Sequence, residues 1–470
     1  MTTAQERRHP HTLGSGEGQQ VSYQILQGDC CEVLVGLPDG HFQTCITSPP
    51  YYNLRSYNAG DREIGQESTP EAYVARLVTV FAEVRRVLHD TGVLWVNLGD
   101  SYANCGGPEP ALPAGNLLGI PWRFAFAMQQ DGWLLRSSVV WAKAVSYNPG
   151  YSGSVMPESV RGWIWGRCRV KAEGRPYRQH QSVAGETWTG DVSRKLTATY
   201  SDCPGCERCL PNGGYVLRRG SWRPTSAHEM VFMFTKGGDY FCDSTAVAEV
   251  GSGRVPGNVK PQKGVGDKGF EIRGGLLASQ QQPQMTRNPR NVWDIPLETD
   301  VLKLSPRGSS LPHYALFPPD LVRPMIRAAT GGREHPGVCS SCGMPWSPVV
   351  ETQRGFRVDR PAVNAEQTGR SDGFTPPPAS KDIYQKHVSS YRPSCPHADA
   401  PARPARVLDP FSGMGTTCLV AIQEGCDATG IELNTDYARM SEERIDREGV
   451  IGPRAYDRQQ AGQLRLMEVG

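Results

Sequence analysis

The sequence predicts an α/β fold: a mainly parallel sheet with helices on both faces, carrying an irregular insert stapled by metal-ligating cysteines. Near-continuous apolar segments alternate with amphipathic ones toward both ends of the chain, as expected when strands are buried on both faces. Between them lies a Gly-, Arg- and Trp-rich stretch with neither the period of a strand nor that of a helix. Fourteen cysteines, several in Cys-x2-Cys pairs, are spread over 470 residues. A long chain without an apolar export signal is expected to keep such thiols reduced or metal-bound.

The first twenty residues are polar and Gly-rich and read as a disordered leader (1–20). VSYQILQGDC reads as a strand, CEVLVGLPDG as a short helix and HFQTCITSPPYY as a second strand stopped by Pro49-Pro50. PEAYVARLVTVFAEVRRVLHD spaces Val74, Leu77, Phe81, Val84 and Leu88 at helical intervals. GVLWVNLGDSY, IPWRFAFAMQQDG and LLRSSVVWAKA add a strand, a helix and a strand, completing a first half over 21–145. The insert, 146–310, is irregular except at HEMVFMFTKGGDYFCD, where a hairpin over 228–243 is expected to return to the sheet. FPPDLVRPMIRAAT, within 311–334, predicts a helix interrupted or bent near Pro324. A Cys/His insertion follows (335–404), with a polar stretch at 351–394; then come strand, Gly-rich turn, helix and strand (405–448) and a tail (449–470).

The apolar fraction of 38% suffices for a sizeable core, and 39 aromatic residues exclude a wholly disordered polymer despite 52 Gly and 38 Pro. No run approaches the roughly 20 apolar residues that a membrane helix needs, so a cytoplasmic protein with no membrane partner is expected. Net charge is +2, but residues 161–307 hold 22 Lys and Arg against 14 Asp and Glu, leaving an acidic frame around a basic middle. One segment meeting a polyanion would have this charge pattern.

Two motifs carry chemistry. In VLDPFSGMGTTCLVAIQEGCDATGIELN, a strand leads into a Gly-rich turn, a helix and a second strand ending at Glu432, 23 residues after Asp409. A nucleoside lies across strand ends in this geometry. Gly413 and Gly415 permit close backbone approach, the helix start at Thr416-Thr417 offers free N–H groups, and Glu432 would bind ribose hydroxyls. The second motif, Thr47-Ser48-Pro49-Pro50-Tyr51-Tyr52, ends an apolar strand. The rigid Pro49 carbonyl beside the Ser48 hydroxyl can accept both protons of an amino group, while Tyr51 covers the ring that bears it.

Together these motifs resemble the S-adenosylmethionine-dependent DNA amino-methyltransferases, specifically the circularly permuted β-class, over about residues 21–145 and 226–445. The resemblance implies a Rossmann-like sheet in which TSPPYY is the catalytic motif, with Ser48, Pro49, Pro50 and Tyr51, and DPFSGMGTT the methionine-binding motif. It implies cofactor contacts from Asp409, Phe411, Ser412, Gly413, Gly415, Thr416, Thr417 and Glu432, with Asp29 at the adenine, and a segment HYALFPPDLVRPMIRAAT closing over the methionine end. It makes the basic insert a target-recognition region, and Trp141 and Lys143 neighbours of the target base.

The expected reaction is direct methyl transfer to an exocyclic nitrogen of a base flipped out of duplex DNA. Hydrogen bonds from both amino protons to Ser48 and Pro49 would favour a pyramidal nitrogen and aim its lone pair at the methyl. No Pro-Cys dipeptide is present, so chemistry at a ring carbon through a cysteine nucleophile is not indicated. In the family this sequence resembles, Ser at the first motif position is the commoner choice for cytosine N4, which makes cytosine N4 the expected target, with adenine N6 as the alternative; modification of RNA or of a glutamine side chain, and a non-catalytic, zinc-stabilised DNA-binding protein, are more distant readings. A restriction-modification or orphan setting in a bacterium, archaeon or phage is implied, with a cognate endonuclease as prospective partner and a monomer or dimer as assembly.

Cys339, Cys342, Cys395 and His397 supply the four N/S ligands of a structural zinc site across a 52-residue loop. Cys203, Cys206 and Cys209 form a second cluster, to be completed by Cys168 or His228. In the insert, Arg218, Arg219, Trp222 and Arg223, with Trp163, Trp165, Arg167 and Arg169, interleave guanidinium and indole groups suited to phosphates and base edges.

Overall fold

The computed structural model describes residues 11–13, 20–53, 62–103, 112–143, 162–171, 200–220, 224, 226–250, 286–295, 318–359 and 380–449. Among them, β1 (His11–Leu13), β2 (Val21–Gln27), β3 (Phe42–Thr47), β4 (Leu88–Leu98), β5 (Leu134–Ala142), β6 (His228–Thr235), β7 (Val292–Asp294), β8 (Arg406–Asp409) and β9 (Asp427–Glu432) form one sheet. Its order is β1-β2-β9-β8-β3-β4-β6-β5-β7. Strands β2, β9, β8, β3 and β4 run parallel in succession, β5 and β7 pair in parallel, and β1 and β6 run against the rest. The α/β class and the mainly parallel sheet expected from the sequence are therefore present.

Among the described residues six helices flank it: α1 (Cys30–Val35), α2 (Pro70–Val87), α3 (Ile120–Gln130), α4 (Pro319–Thr330), α5 (Thr416–Gln423) and α6 (Thr435–Glu448). The α2 start is fixed by Thr69, whose side chain accepts from the Ala72 N–H at 3.1 Å, and by Pro70 in the first turn. Alternation along the strands builds two apolar layers. Leu94, Val96 and Leu98 of β4 pack with residues of α1, α2 and α3, whereas Val93 and Trp95 pack in the layer containing α4, α5 and α6. Phe232 and Phe234 of β6 join the first layer, Val231 and Met233 the second. Helices α2 and α5, which follow the neighbouring strands β3 and β8, thus lie on opposite faces, so a topological switch point opens between the carboxyl ends of these strands.

Four expectations are corrected. The hairpin over 228–243 does not form: β6 is already bonded along both edges, to β4 and β5, and the chain beyond Gly237-Gly238 has no free edge to join. Instead, Phe241 donates its N–H to the Thr91 carbonyl and Asp243 to that of Ala328, each at 2.9 Å. The leader contributes a strand, because His11–Leu13 caps the outer edge of β2. Helix α4 runs through Pro324 without interruption. Of the polar stretch at 351–394, residues 351–359 and 380–393 belong to a long antiparallel ribbon, Trp346–Asp359 with Ser380–Pro393. Residues 152–227 form a separate compact unit, within which Ile164–Arg167 pairs with Tyr215–Arg218 and Arg169–Lys171 with Tyr200–Asp202. No helix among the described residues is long and apolar enough to cross a membrane.

Helix α4 is locked to the end of α5 by charge. Glu424, 2% exposed, accepts hydrogen bonds from Arg323 and Arg327, the latter at 2.9 Å. Removing the carboxylate would strand the buried Arg323 guanidinium, so Glu424→Ala is expected to lower unfolding free energy by about 3–5 kcal/mol in chemical denaturation.

Candidate active site and cysteine clusters

The two motifs, more than 350 residues apart in sequence, meet at the switch point. Parallel pairing of β3 with β8, Thr44 opposite Val407 and Cys45 opposite Leu408, brings Ser48-Pro49-Pro50-Tyr51 beside the turn that begins at Asp409. Two side-chain bonds fasten the junction. Thr47 donates from Oγ1 to Asp409 Oδ1 at 2.6 Å, and Thr417 donates from Oγ1 to the Ile46 carbonyl at 3.2 Å.

The Gly-rich turn is built around two carboxylates. Asp409 Oδ1 also accepts the Phe411 N–H at 3.0 Å, while Glu432 accepts the N–H groups of Gly413 at 2.7 Å and Asn434 at 2.9 Å. Gly415 has φ +72°, and a Cβ there would come within 2.8 Å of Ser441, so a residue with a side chain would strain the turn and crowd α6. Buried Arg444 of α6 supports the turn by donating to Thr416 Oγ1 at 2.9 Å. Helix α5 starts without a side-chain cap, leaving the first-turn N–H groups, those of Thr416 and Thr417 among them, to meet an anionic group. Ser412 is buried in the same turn, and Phe411, half-buried, packs 6.5 Å from Phe81. Asp29 lies just past the end of β2 and caps α1 by accepting the Cys31 N–H at 2.8 Å.

Around the Pro-Pro motif the structure assembles a polar cluster that sequence reasoning only partly anticipates. The Pro50 carbonyl accepts the Tyr73 hydroxyl at 2.8 Å, which fixes the second proline. Asn97, 1% exposed near the end of β4, donates from Nδ2 to the Tyr51 hydroxyl at 2.9 Å and to Glu229 Oε2 at 2.8 Å, with Ser48 Oγ at 3.4 Å. Tyr51 also donates to Glu229, and Lys143, just beyond β5, pairs with the same carboxylate. The Tyr51 ring lies over Gly99, where a Cβ would come within 2.5 Å of it. Sequence reasoning missed Asn97 and Glu229 because each looks like an ordinary strand residue until β6 pairs with β4. The polar interruptions in VLWVNLGD and HEMVFMF are the available signals.

Electrostatics follows from burial. Desolvation raises the Asp409 carboxyl to about 6, against the lowering effect of its bonds with Thr47, Thr417 and Phe411. Burial likewise pushes Glu432 up, opposed by the N–H groups it accepts, and drives the Tyr51 phenol well above its ordinary value with help from the neighbouring Glu229 carboxylate.

Seven of the described cysteines gather, with His397, as two four-ligand groups. Cys339, Cys342, Cys395 and His397 have ligand atoms within 4.8 Å of one another. Antiparallel pairing of Trp346 with Pro393 closes the long ribbon and returns Cys395 to the first pair. This cluster lies at the amino ends of the strands: Gln43 of β3 donates to the Gly343 carbonyl at 3.3 Å, and His89 of β4 reaches that of Cys342 at 3.2 Å. In the separate unit, Cys168, not His228, joins Cys203, Cys206 and Cys209. His228 belongs to β6 of the main sheet. Arg218 and Arg219 are exposed at the end of a strand of that unit, while Trp222 and Arg223 lie outside the described residues.

A Gly-rich turn built on two carboxylates lies beside a Pro-Pro motif at the carboxyl ends of a doubly wound sheet. A family model described as DNA methylase, of the N6/N4 type, matches residues 42–332 and 404–443. The chain belongs to this N6/N4 DNA methylase family. It is 27% identical over 440 residues to the type II methyltransferase M.XycI of Xanthomonas campestris pv. cyanopsidis, covering 90% of this chain and 87% of that protein. Against the type II methyltransferase M.Cfr9I of Citrobacter freundii it is 27% identical over 443 residues, covering 90% and 88%. Among solved structures, the cytosine-N4-specific PvuII DNA methyltransferase aligns over 92% of each chain at 15% identity, with a TM-score of 0.42.

Asp409→Asn tests the electrostatics of the junction. The folded state holds the Asp409 proton more tightly than the unfolded chain, so this group's contribution to stability falls as pH rises from its unfolded value toward about 6 and stays low above it. Relative to the variant, the wild type is expected to lose about 1–1.5 kcal/mol between pH 5 and pH 7.5 in parallel denaturant titrations.

Proposed function

We propose that this DNA methylase transfers the methyl group of S-adenosylmethionine to the exocyclic N4 of a cytosine flipped out of duplex DNA, in a type II restriction-modification setting. One observation carries the reading: the Thr47–Asp409 bond holds the amino-group cradle and the nucleoside-type turn side by side at the switch point. The likeness to curated type II methyltransferases over nearly the whole chain supports the DNA substrate and the setting.

The donor set fits the cofactor. The uncapped start of α5 can receive its carboxylate, and Glu432, whose oxygens each retain a lone pair after meeting Gly413 and Asn434, can receive ribose hydroxyls. Asp29 suits the adenine side, at the end of β2. When bound, S-adenosylmethionine supplies an electrophilic methyl on a sulfonium sulfur. This chain's residues do the rest. Ser48 Oγ and the Pro49 carbonyl accept the two amino protons and turn the nitrogen lone pair toward the crevice. The Tyr51 ring, held by Asn97 and Glu229, offers a flat surface to the extruded base, and Lys143, paired with Glu229, adds a hydrogen-bond donor to the same cluster. Burial keeps the Tyr51 phenol neutral. Loss of the extra proton to water completes the transfer. Ser at position 48 supports cytosine over adenine.

We assign Cys339, Cys342, Cys395 and His397 to a structural zinc ion. Its place at the amino ends of the strands keeps it away from the crevice, and it clamps the base of a ribbon that lacks a core. Cys395→Ser is expected to remove one zinc per chain by elemental analysis and to lower the melting temperature, with affinity for S-adenosylmethionine retained by the folded fraction.

Mass spectrometry of nucleosides from DNA methylated by the purified protein is expected to show N4-methylcytosine. N6-methyladenine instead would transfer the assignment to adenine, and no methyl uptake would overturn it. Ser48→Ala is expected to lower kcat about 10²-fold, the scale of one lost transition-state hydrogen bond, while S-adenosylmethionine still binds.

A further inference from the structure

We propose that Cys168, Cys203, Cys206 and Cys209 hold one zinc ion that folds residues 152–227 into a module, and that one face of its ribbon, bearing Trp163, Trp165, Arg167 and Arg219, docks on duplex DNA. The DNA half rests on the function proposed above; the metal half does not.

The geometry of the thiols comes first. A zinc ion with four thiolates at about 2.3 Å in a tetrahedron sets sulfur–sulfur distances of about 3.8 Å. Cys168 and Cys206 lie 3.9 Å apart and Cys206 and Cys209 3.6 Å apart, with all four sulfurs within 4.8 Å of one another. The backbone is arranged around this point. Cys168 joins the ends of two ribbons, since Arg167 ends the first strand of one and Arg169 starts the other. Cys203 donates its N–H to the Cys168 carbonyl, Cys168 to that of Gly214, and Gly214 to that of Cys209, each at 2.9 Å. Every ligand therefore sits where strands cross or turn.

The described residues of the unit offer little else to fold around. Among its described residues Cys209 alone is buried, while Trp163, Trp165, Tyr200 and Leu210 are 65%, 56%, 58% and 67% exposed. Described residues with so little apolar burial need another source of folding free energy, and metal coordination supplies it.

Those exposed rings are ordered by the ribbon. Pairing of Trp165 with Leu217 and of Arg167 with Tyr215 puts these four side chains on one face, while Ile164, Gly166, Val216 and Arg218 point to the other. On the first face the Arg167 guanidinium lies 5.3 Å from the Tyr215 ring, and that of Arg219 4.7 Å from the Trp163 ring. Stacking fixes each fork while its N–H groups remain exposed for phosphate oxygens or guanine edges. The described residues of the unit carry six Lys and Arg against two Asp and Glu, a surplus that complements a polyanion.

Elemental analysis of the full-length protein tests the metal half. Two zinc ions per chain are expected, one fewer in Cys206→Ser, and cobalt(II) loading should give thiolate charge-transfer absorption that the variant loses in large part, keeping only the share of the Cys339, Cys342 and Cys395 site. An unchanged zinc content in Cys206→Ser overturns the site. For the DNA half, Arg167→Ala/Arg219→Ala is expected to keep both zinc ions and its S-adenosylmethionine affinity, yet bind duplex DNA about 10-fold or more weakly. Its log K against log salt slope should shrink by about 2. Wild-type duplex affinity and slope in this variant overturn the docking face. Failure of the wild type to bind S-adenosylmethionine would instead count against the methyltransferase reading and leave the zinc result standing.

Discussion

The parallel register between β3 and β8 is the constraint on which the rest depends. It joins strands from opposite ends of the chain, and Thr47 seals it with a buried hydrogen bond to Asp409. Because α2 and α5 leave these strands toward opposite faces, the sheet cannot close over their carboxyl ends, and a crevice remains there. A hydroxyl next to Ser48-Pro49-Pro50-Tyr51 and a carboxylate at the head of the Gly-rich turn are thus parts of one short connection, so displacement of either motif would be felt by the other.

Within the crevice, charge is used sparingly and kept out of water. Asp409 and Glu432 accept backbone N–H groups of their own turn, which shapes that turn before any ligand arrives. The cluster of Asn97, Tyr51, Glu229 and Lys143 does the same for the Pro-Pro side. Preorganised dipoles of this kind need not be reordered when a reaction occurs, which is the main way a site that forms no covalent intermediate can accelerate a transfer.

The two cysteine groups occupy the parts of the chain that the sheet cannot stabilise. One lies at the root of the ribbon formed by Trp346–Asp359 and Ser380–Pro393, at the amino ends of the strands. The other lies inside the compact unit of residues 152–227, where almost nothing described is buried. Each gathers four ligand atoms within 4.8 Å of one another, so a bound ion there would substitute for apolar area.

The sequence by itself determined the elements and the chemistry that is local. Apolar runs and helical spacing marked the strands and helices of both halves; Ser48-Pro49-Pro50-Tyr51 and Asp409–Thr417 stood out because proline fixes φ and glycine admits backbone conformations closed to other residues; and the Cys-x2-Cys pairs stood out by their fixed spacing. What depended on partners far away in the chain was not legible. Only tertiary structure decided that β6 would be taken up on both edges, that Cys168 would complete the second cluster while His228 entered the sheet, and that the ribbon from Trp346 would bring Cys395 home. Only it brought Asn97 and Glu229 to Tyr51. Side-chain period reports which face a residue occupies, but the identity of the neighbour across that face is set by strand order, which periodicity does not encode.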